Sequence, residues 1–320
     1  HLREDGPLNI YVYAFRRILY VIPVLLGVCL IIFVLFNLVS PDPTLMLLGK
    51  HANLKQMQEL RHELGLDRSY FVQYLDIVKS AFTFDFGRSW STKQEIIEMI
   101  KNGAIPSLTV TVPAFIIALF ISLIVALFVA FYRGNWFDRA AVLVCVAMMS
   151  IPSLAYILFG QKILAYDLGF FEISGYEHGF PYFIPYVALP CIIWIVLSIG
   201  PDVRFYRTVI LDEVYMDYVR TARAKGLNET VILFKHILKN AMIPIITWVV
   251  IQIPFLILGA LLLESFFGIP GLGGITLNAI NSTDFPVVRA MTVLSAVAYI
   301  IFSVITDVLY TLVDPRVRLK

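Results

Sequence analysis

Long apolar runs, separated by short polar or basic stretches, set the pattern of this chain. Six of them are candidates for membrane spans: Ile18 to Val39, Leu108 to Phe131, Ala140 to Leu164, Ile184 to Ser198, Met242 to Phe267 and Met291 to Leu312. Most hold the roughly 20 apolar residues needed to cross about 30 Å of hydrocarbon. The fourth is short and carries Pro190, so its ends are the least defined. Hydrocarbon offers the backbone no hydrogen-bond partner, so apolar runs of this length predict helices. The first run is too long for the apolar core of a signal peptide and lacks a small-residue cleavage site, so it is expected to stay as an anchor. The pattern predicts an all-α membrane protein with six transmembrane helices.

Between the spans the periodicity changes. In the 40–107 segment, Leu54 to Leu64 and Tyr70 to Phe82 read as helices, with Gly65 as the stop between them and Asp67 or Ser69 as the next cap. Lys93 to Lys101 reads as a third helix, lying along the membrane and leading into the second span. Together they predict a small helical subdomain after the first span. In the 199–240 segment, Asp212 to Lys225 contains no Gly or Pro, and Leu211, Tyr215, Tyr218, Val219 and Ala222 fall at helical spacing against a charged back. Gly226 supplies the left-handed residue that ends a helix cheaply, Asn228 is a good N-cap, and Glu229 puts negative charge in the first turn of the next helix. The result is a basic helix–glycine–helix hinge between two spans. After the fifth run, Gly268 to Gly274 (GIPGLGG) predicts a tight turn with close backbone approach, followed by Thr276 to Ile280 and the polar Asn281-Ser282-Thr283-Asp284.

Composition agrees with the pattern: 59% of the residues are hydrophobic, 15% are charged, and the mean hydropathy is +0.81. A net charge of +2 gives no reason to expect a nucleic-acid partner. The N-terminus, the 132–139 turn, the 199–240 loop and the tail hold fifteen of the twenty-five Lys and Arg, whereas the 165–183 and 268–289 loops hold only Arg289. Both termini and the hinge are therefore expected in the cytoplasm, and the 40–107 subdomain outside it. Cys29, Cys145 and Cys191 lie in apolar runs, so neither a disulfide nor a metal site is expected. Asp85-Phe86-Gly87 lacks the glycine-rich and catalytic loops that would make it a kinase element, and Gly49-Lys50 lacks the glycine spacing of a phosphate loop, so the chain is expected neither to catalyse nor to bind a cofactor. Polar groups inside spans are costly and default to function. Met149 and Ser150, in a kinked stretch before Pro152, are candidates to line a passage. Gln252 either faces that passage or hydrogen-bonds between packed helices. Lys162 and Glu264, near span ends, are expected to reach the interface.

With these features in view, the chain resembles the permease subunits of binding-protein-dependent ABC importers of the dipeptide, oligopeptide and nickel class. The shared cytoplasmic signature of that family, E-A-A, three residues, G, nine residues, I-x-L-P, falls here on Arg220-Thr221-Ala222, Gly226 and His236-x-Leu238-Lys239. Arg220, Thr221, His236 and Lys239 depart from it, and RTARAKGL looks like the peptide-class form. SPDP after the first span, LGLDRSYFVQYL, DFGRS, ESFFGIPGLGG and DVLYTLVDPRVR extend the likeness over nearly the whole chain. The resemblance implies a type I importer permease fold with a cytoplasmic N-terminus (1–17), a first span (18–39), an extracytoplasmic subdomain (40–107), a permease core (108–312) and a cytoplasmic tail (313–320). It implies residence in a bacterial inner membrane, a homologous second permease, two cytoplasmic ATPase subunits that carry ATP and Mg, and an external solute-binding protein that meets the subdomain. Coupling to the ATPase would fall to Tyr215, Asp217, Tyr218, Arg220, Thr221, Ala222, Arg223, Lys225, Gly226 and His236. The 268–289 segment would be re-entrant near an outer gate. Peptides are the first expectation for cargo, with nickel chelates, oligosaccharides and opines as alternatives. An ion-coupled secondary transporter is the competing reading; it needs repeated halves and ionisable groups at mid-membrane, of which these runs show few.

Overall fold

The computed structural model describes residues 8–49 and 53–313; the expected cytoplasmic tail and the first residues of the chain lie outside this range. The helices are α1 (Leu8–Phe33), α2 (Pro43–Leu48), α3 (Leu54–Glu63), α4 (Tyr70–Thr83), α5 (Ile96–Phe131), α6 (Trp136–Ser150), α7 (Ser153–Gly160), α8 (Ile184–Val214), α9 (Asp217–Ala224), α10 (Glu229–Val231), α11 (Leu238–Leu258), α12 (Leu261–Phe266), α13 (Leu272–Asn281) and α14 (Phe285–Val313). π-helical turns carry α1 on to Val39, α7 on to Asp167, and α10 into α11 over Ile232–Ile237.

Five helical stretches are long and apolar enough to cross a membrane, and α6 with α7 makes a sixth if a pair bent by 86° counts as one span. The bend falls at Ile151–Pro152, where Pro152 cannot donate to the helix ladder. The fourth span departs most from expectation. It is one 31-residue helix through both Pro190 and Pro201, so the segment from 199 to 214 continues the helix rather than forming a loop. Likewise the helix expected over Lys93 to Lys101 is not separate: α5 begins at Ile96 and runs straight to Phe131. The fifth run breaks where Gly259 takes φ +76, leaving α12 as a short second piece.

The core is built on α5 against α8. Ala114, Ala118, Ser122, Ala126 and Ala130 recur every fourth residue on α5 and are at most 1% exposed. Such a row of small side chains lets helix backbones approach without the large apolar residues that drive packing in water. Around this pair, α11 packs on α5, α8 and α14, and α1 packs on α14 and α4. In the 40–95 subdomain, α3 and α4 fall where the periodicity places them, with Gly65 at φ +67 between them and Ser69 at the N-cap of α4.

Candidate coupling site

The hinge is a compact lock rather than a loop. The helix expected over Asp212 to Lys225 is interrupted: α8 stops at Val214, and α9 starts afresh at Asp217 with Met216 in extended geometry at its N-cap. At the other end, Gly226 (φ +75) donates its N–H to Arg223 O at 2.9 Å, and Leu227 donates to Ala222 O at 3.3 Å. These are the two hydrogen bonds of a Schellman cap, which needs a left-handed residue where Gly226 stands. Asn228 then caps α10 through Oδ1, accepting from Thr230 N at 3.1 Å. Arg223 spans the turn and grips Glu229 with two parallel bonds, Nε to Oε1 at 2.6 Å and Nη2 to Oε2 at 3.1 Å, the strong bidentate arrangement of a guanidinium on a carboxylate. Gly226 itself meets nothing: a Cβ there would have no neighbour within 4 Å.

One face of α9 is fused to the spans. Val219 and Ala222 are buried with Ile232, Leu233, Ile237, Ala241 and Ile245 against Ala126 and Ala130 of α5 and Tyr206, Ile210 and Val214 of α8. Ala222, one of the residues expected to couple to the ATPase, thus faces the spans. Tyr218 is half-buried and donates its hydroxyl to Glu213 Oε2 at 2.6 Å; burial first, and the Glu213 carboxylate second, push its pKa up to about 12, so it stays a donor at any physiological pH. The opposite face is open. Tyr215 is 65% exposed with the Arg133 guanidinium 5.8 Å from its ring centre, and Arg220, Lys225, Thr221 and Asp217 are exposed. His236, on the π-helical turn, is half-buried. Behind the hinge, Asp138 accepts from Arg207 Nε at 2.6 Å and from Gly134 N at 3.0 Å, tying the 132–135 turn to α8. Neither residue stood out in the sequence, because nothing in the pattern announces a pair 69 residues apart.

At the far end of the core is a second built cluster. Glu264 does not reach an interface; it is fully buried and accepts four hydrogen bonds. Ser107 Oγ (2.8 Å) and Ala260 N (2.9 Å) bond Oε1, while Gly273 N (2.8 Å) and Gly274 N (3.1 Å) bond Oε2. Ser107 in turn accepts from Leu272 N at 2.7 Å. The GIPGLGG turn is therefore the approach to the N-terminus of α13, whose free N–H groups are aimed at a carboxylate. Two of its glycines, and Gly259 before it, meet close contacts: a Cβ on Gly259 or Gly271 would fall onto the Glu264 carboxylate, and one on Gly273 would meet the Ala260–Leu261 backbone. Past the other end of α13, Asp284 is 1% exposed and accepts from Trp90 N at 3.0 Å, Ser91 N at 3.2 Å, Ser91 Oγ at 2.8 Å and Ser89 Oγ. Burial alone would raise its pKa, but these donors together hold it below the usual carboxylate range.

The expected passage-lining residues are spread out. Met149 is 47% exposed, and Ser150 returns its hydroxyl to Val146 O at 2.8 Å. Gln252 donates to Asp202 Oδ1 at 3.3 Å, and Trp248 Nε1 donates to the same oxygen at 2.8 Å. Asp202 lies in α8, within the segment expected as a loop, where a carboxylate carries no signal of burial. Lys162 is exposed and pairs with Asp167 at 3.2 Å.

Comparison with known proteins agrees with this architecture. Residues 122–319 match the family described as "Binding-protein-dependent transport system inner membrane component", and residues 10–113 match its N-terminal counterpart. The glutathione transport system permease protein GsiC of Salmonella choleraesuis (strain SC-B67) is 32% identical over 308 residues, covering 96% of this chain and 99% of the relative. GsiC of Escherichia coli (strain K12) is 30% identical over the same extent. The chain therefore belongs to the inner membrane components of binding-protein-dependent transport systems: it is a multi-pass permease subunit of an ABC importer, a transport component rather than an enzyme, with the type I permease fold.

Proposed function

We propose that the 215–239 hinge docks a cytoplasmic ATPase subunit and that this chain, paired with a homologous second permease, forms half of an import pathway for peptides or similar small solutes. The observation that carries the reading is the two-sidedness of α9. Its inner face, Val219 and Ala222, belongs to the same apolar cluster as the ends of α5, α8 and α11, while its outer face offers Tyr215, Arg220 and Lys225. A push on the outer face therefore moves three spans together. The aromatic is an anchor for a groove, and the cations steer toward an acidic rim. ATP and Mg belong to the ATPase partners, whose closure draws the hinges together and turns the pathway outward. An external solute-binding protein delivers cargo on the side of the 40–95 subdomain. Peptide cargo is supported by the likeness to a glutathione permease and by the RTARAKGL form of the signature.

Gly226→Val tests this. Since a Cβ at Gly226 has open space around it, the substitution acts through the left-handed backbone rather than through a clash at Cβ, at about 1 to 2 kcal/mol. The assembled importer is expected to retain its binding-protein contact while transport falls strongly and cargo-loaded binding protein no longer stimulates ATP hydrolysis. Unchanged transport per assembled complex, with lower yield alone, sinks the coupling assignment.

A further inference from the structure

Arg289 is a cation without a counter-ion among the described residues. It stands in the second turn of α14, and among the described residues it forms no ion pair and no side-chain hydrogen bond. Its side chain lines a cleft of about 240 Å³ between the end of α1, α4, the 63–68 turn and α14. The other polar groups there are largely satisfied. Asn37 donates to Gln73, Gln73 donates to Leu66 O at 3.2 Å and Arg68 O at 2.7 Å, and Arg68 pairs with Asp76 at 3.3 Å. Glu63 is exposed on the rim. A half-buried guanidinium needs an acceptor or an anion, and among the described residues neither carboxylate of the cleft, Glu63 on its rim or Asp76 on Arg68, pairs with it.

Depth selects the anion. Asn37 is two residues from the end of the first spanning stretch at Val39, and Arg289 is four residues inside the start of the last at Phe285. Four residues of helix rise about 6 Å. Because α1 packs on α14, both walls leave the hydrocarbon at this level, where lipid phosphates lie. On the helical turn that carries Asn37, Leu35, Leu38 and Val39 are 51%, 52% and 68% exposed, an apolar surface at the level of the cleft on which acyl chains can lie. We propose that this cleft is a phospholipid site in which Arg289 grips the lipid phosphate by charge-assisted hydrogen bonds, pinning the 40–95 subdomain to the membrane surface. A free inorganic phosphate shares the chemistry but would not use the apolar flank.

The test is native mass spectrometry of the assembled transporter, stripped of loosely held lipid in a phosphate-free detergent and then titrated with phosphatidylglycerol. Wild type is expected to keep a tightly held phospholipid on this chain, Arg289→Lys to keep it, and Arg289→Gln to bind it about tenfold more weakly, a change of about 1.4 kcal/mol. Millimolar inorganic phosphate is expected to leave the wild-type lipid in place. Equal retention by Arg289→Gln and wild type overturns the site, and displacement by inorganic phosphate overturns the lipid as its occupant. If Arg289→Gln fails to assemble, the wild type alone decides: no phospholipid surviving the stripping, and none rebound on titration, refutes the proposal.

Discussion

Two kinds of glycine separate at the residue scale. Gly226 is needed for its backbone angle in open space, whereas Gly271 is needed because its Cβ position is filled by the Glu264 carboxylate; Gly259, at φ +76 and facing the same carboxylate, is needed on both counts. Glu264→Gln is nearly isosteric but turns an acceptor-only group into one with an NH₂ facing backbone donors. Leaving buried donors unmatched costs about 1 to 3 kcal/mol, so the variant is expected to lower the thermal unfolding midpoint of the purified chain. Gly271→Ala is expected to do the same by steric displacement; midpoints equal to wild type for both would show that the cradle contributes nothing.

Asp284 joins the 89–91 segment to the start of α14, a pairing of elements. Its carboxylate is held below the ordinary value of 3.8 in the folded chain. A depressed folded pKa means stabilisation that is complete above the unfolded value and lost as pH falls through the folded one. Hydrogen exchange at Trp90 and Ser91, whose amides bond Asp284, is expected to stay slow from neutral pH down to about 4 and to quicken only in stronger acid, after correction for the intrinsic pH dependence of exchange. Loss of protection at pH 6 would mean that some other contact governs the docking of this segment.

The orientation we propose for the whole molecule rests on its cations: of the seventeen Lys and Arg outside the 40–107 segment, fifteen lie in the termini, the 132–139 turn and the 199–240 segment. In a background lacking Cys29, Cys145 and Cys191, a cysteine at Asn228 is expected to react with an impermeant thiol reagent only from the cytoplasmic side, and one at Gln58 only from outside. Labelling of Asn228 in intact cells would invert the assignment. The same scale explains how the chain can transmit force. The hinge cluster and the Glu264 cluster sit at opposite ends of the α5–α8–α11 core, so a displacement at α9 reaches Ser107 through continuous helix.

What the sequence determined is what depends on neighbours along the chain. Apolar run length gave the spans, period 3.6 gave α3 and α4, and the pairing of Gly226 with Asn228 gave the stop and restart of the hinge, because caps are satisfied within a few residues. The signature around Gly226 was legible for the same reason. The tertiary structure decided what depends on partners far apart in sequence. It carried α8 through Pro201, since packing on α5 outweighs the lost hydrogen bond; it turned Ala222 inward; and it enclosed Glu264 with Ser107, which stands 157 residues earlier. A carboxylate near the end of an apolar run reads as an interfacial charge until the donors that surround it are known, and those donors are brought together only by the fold.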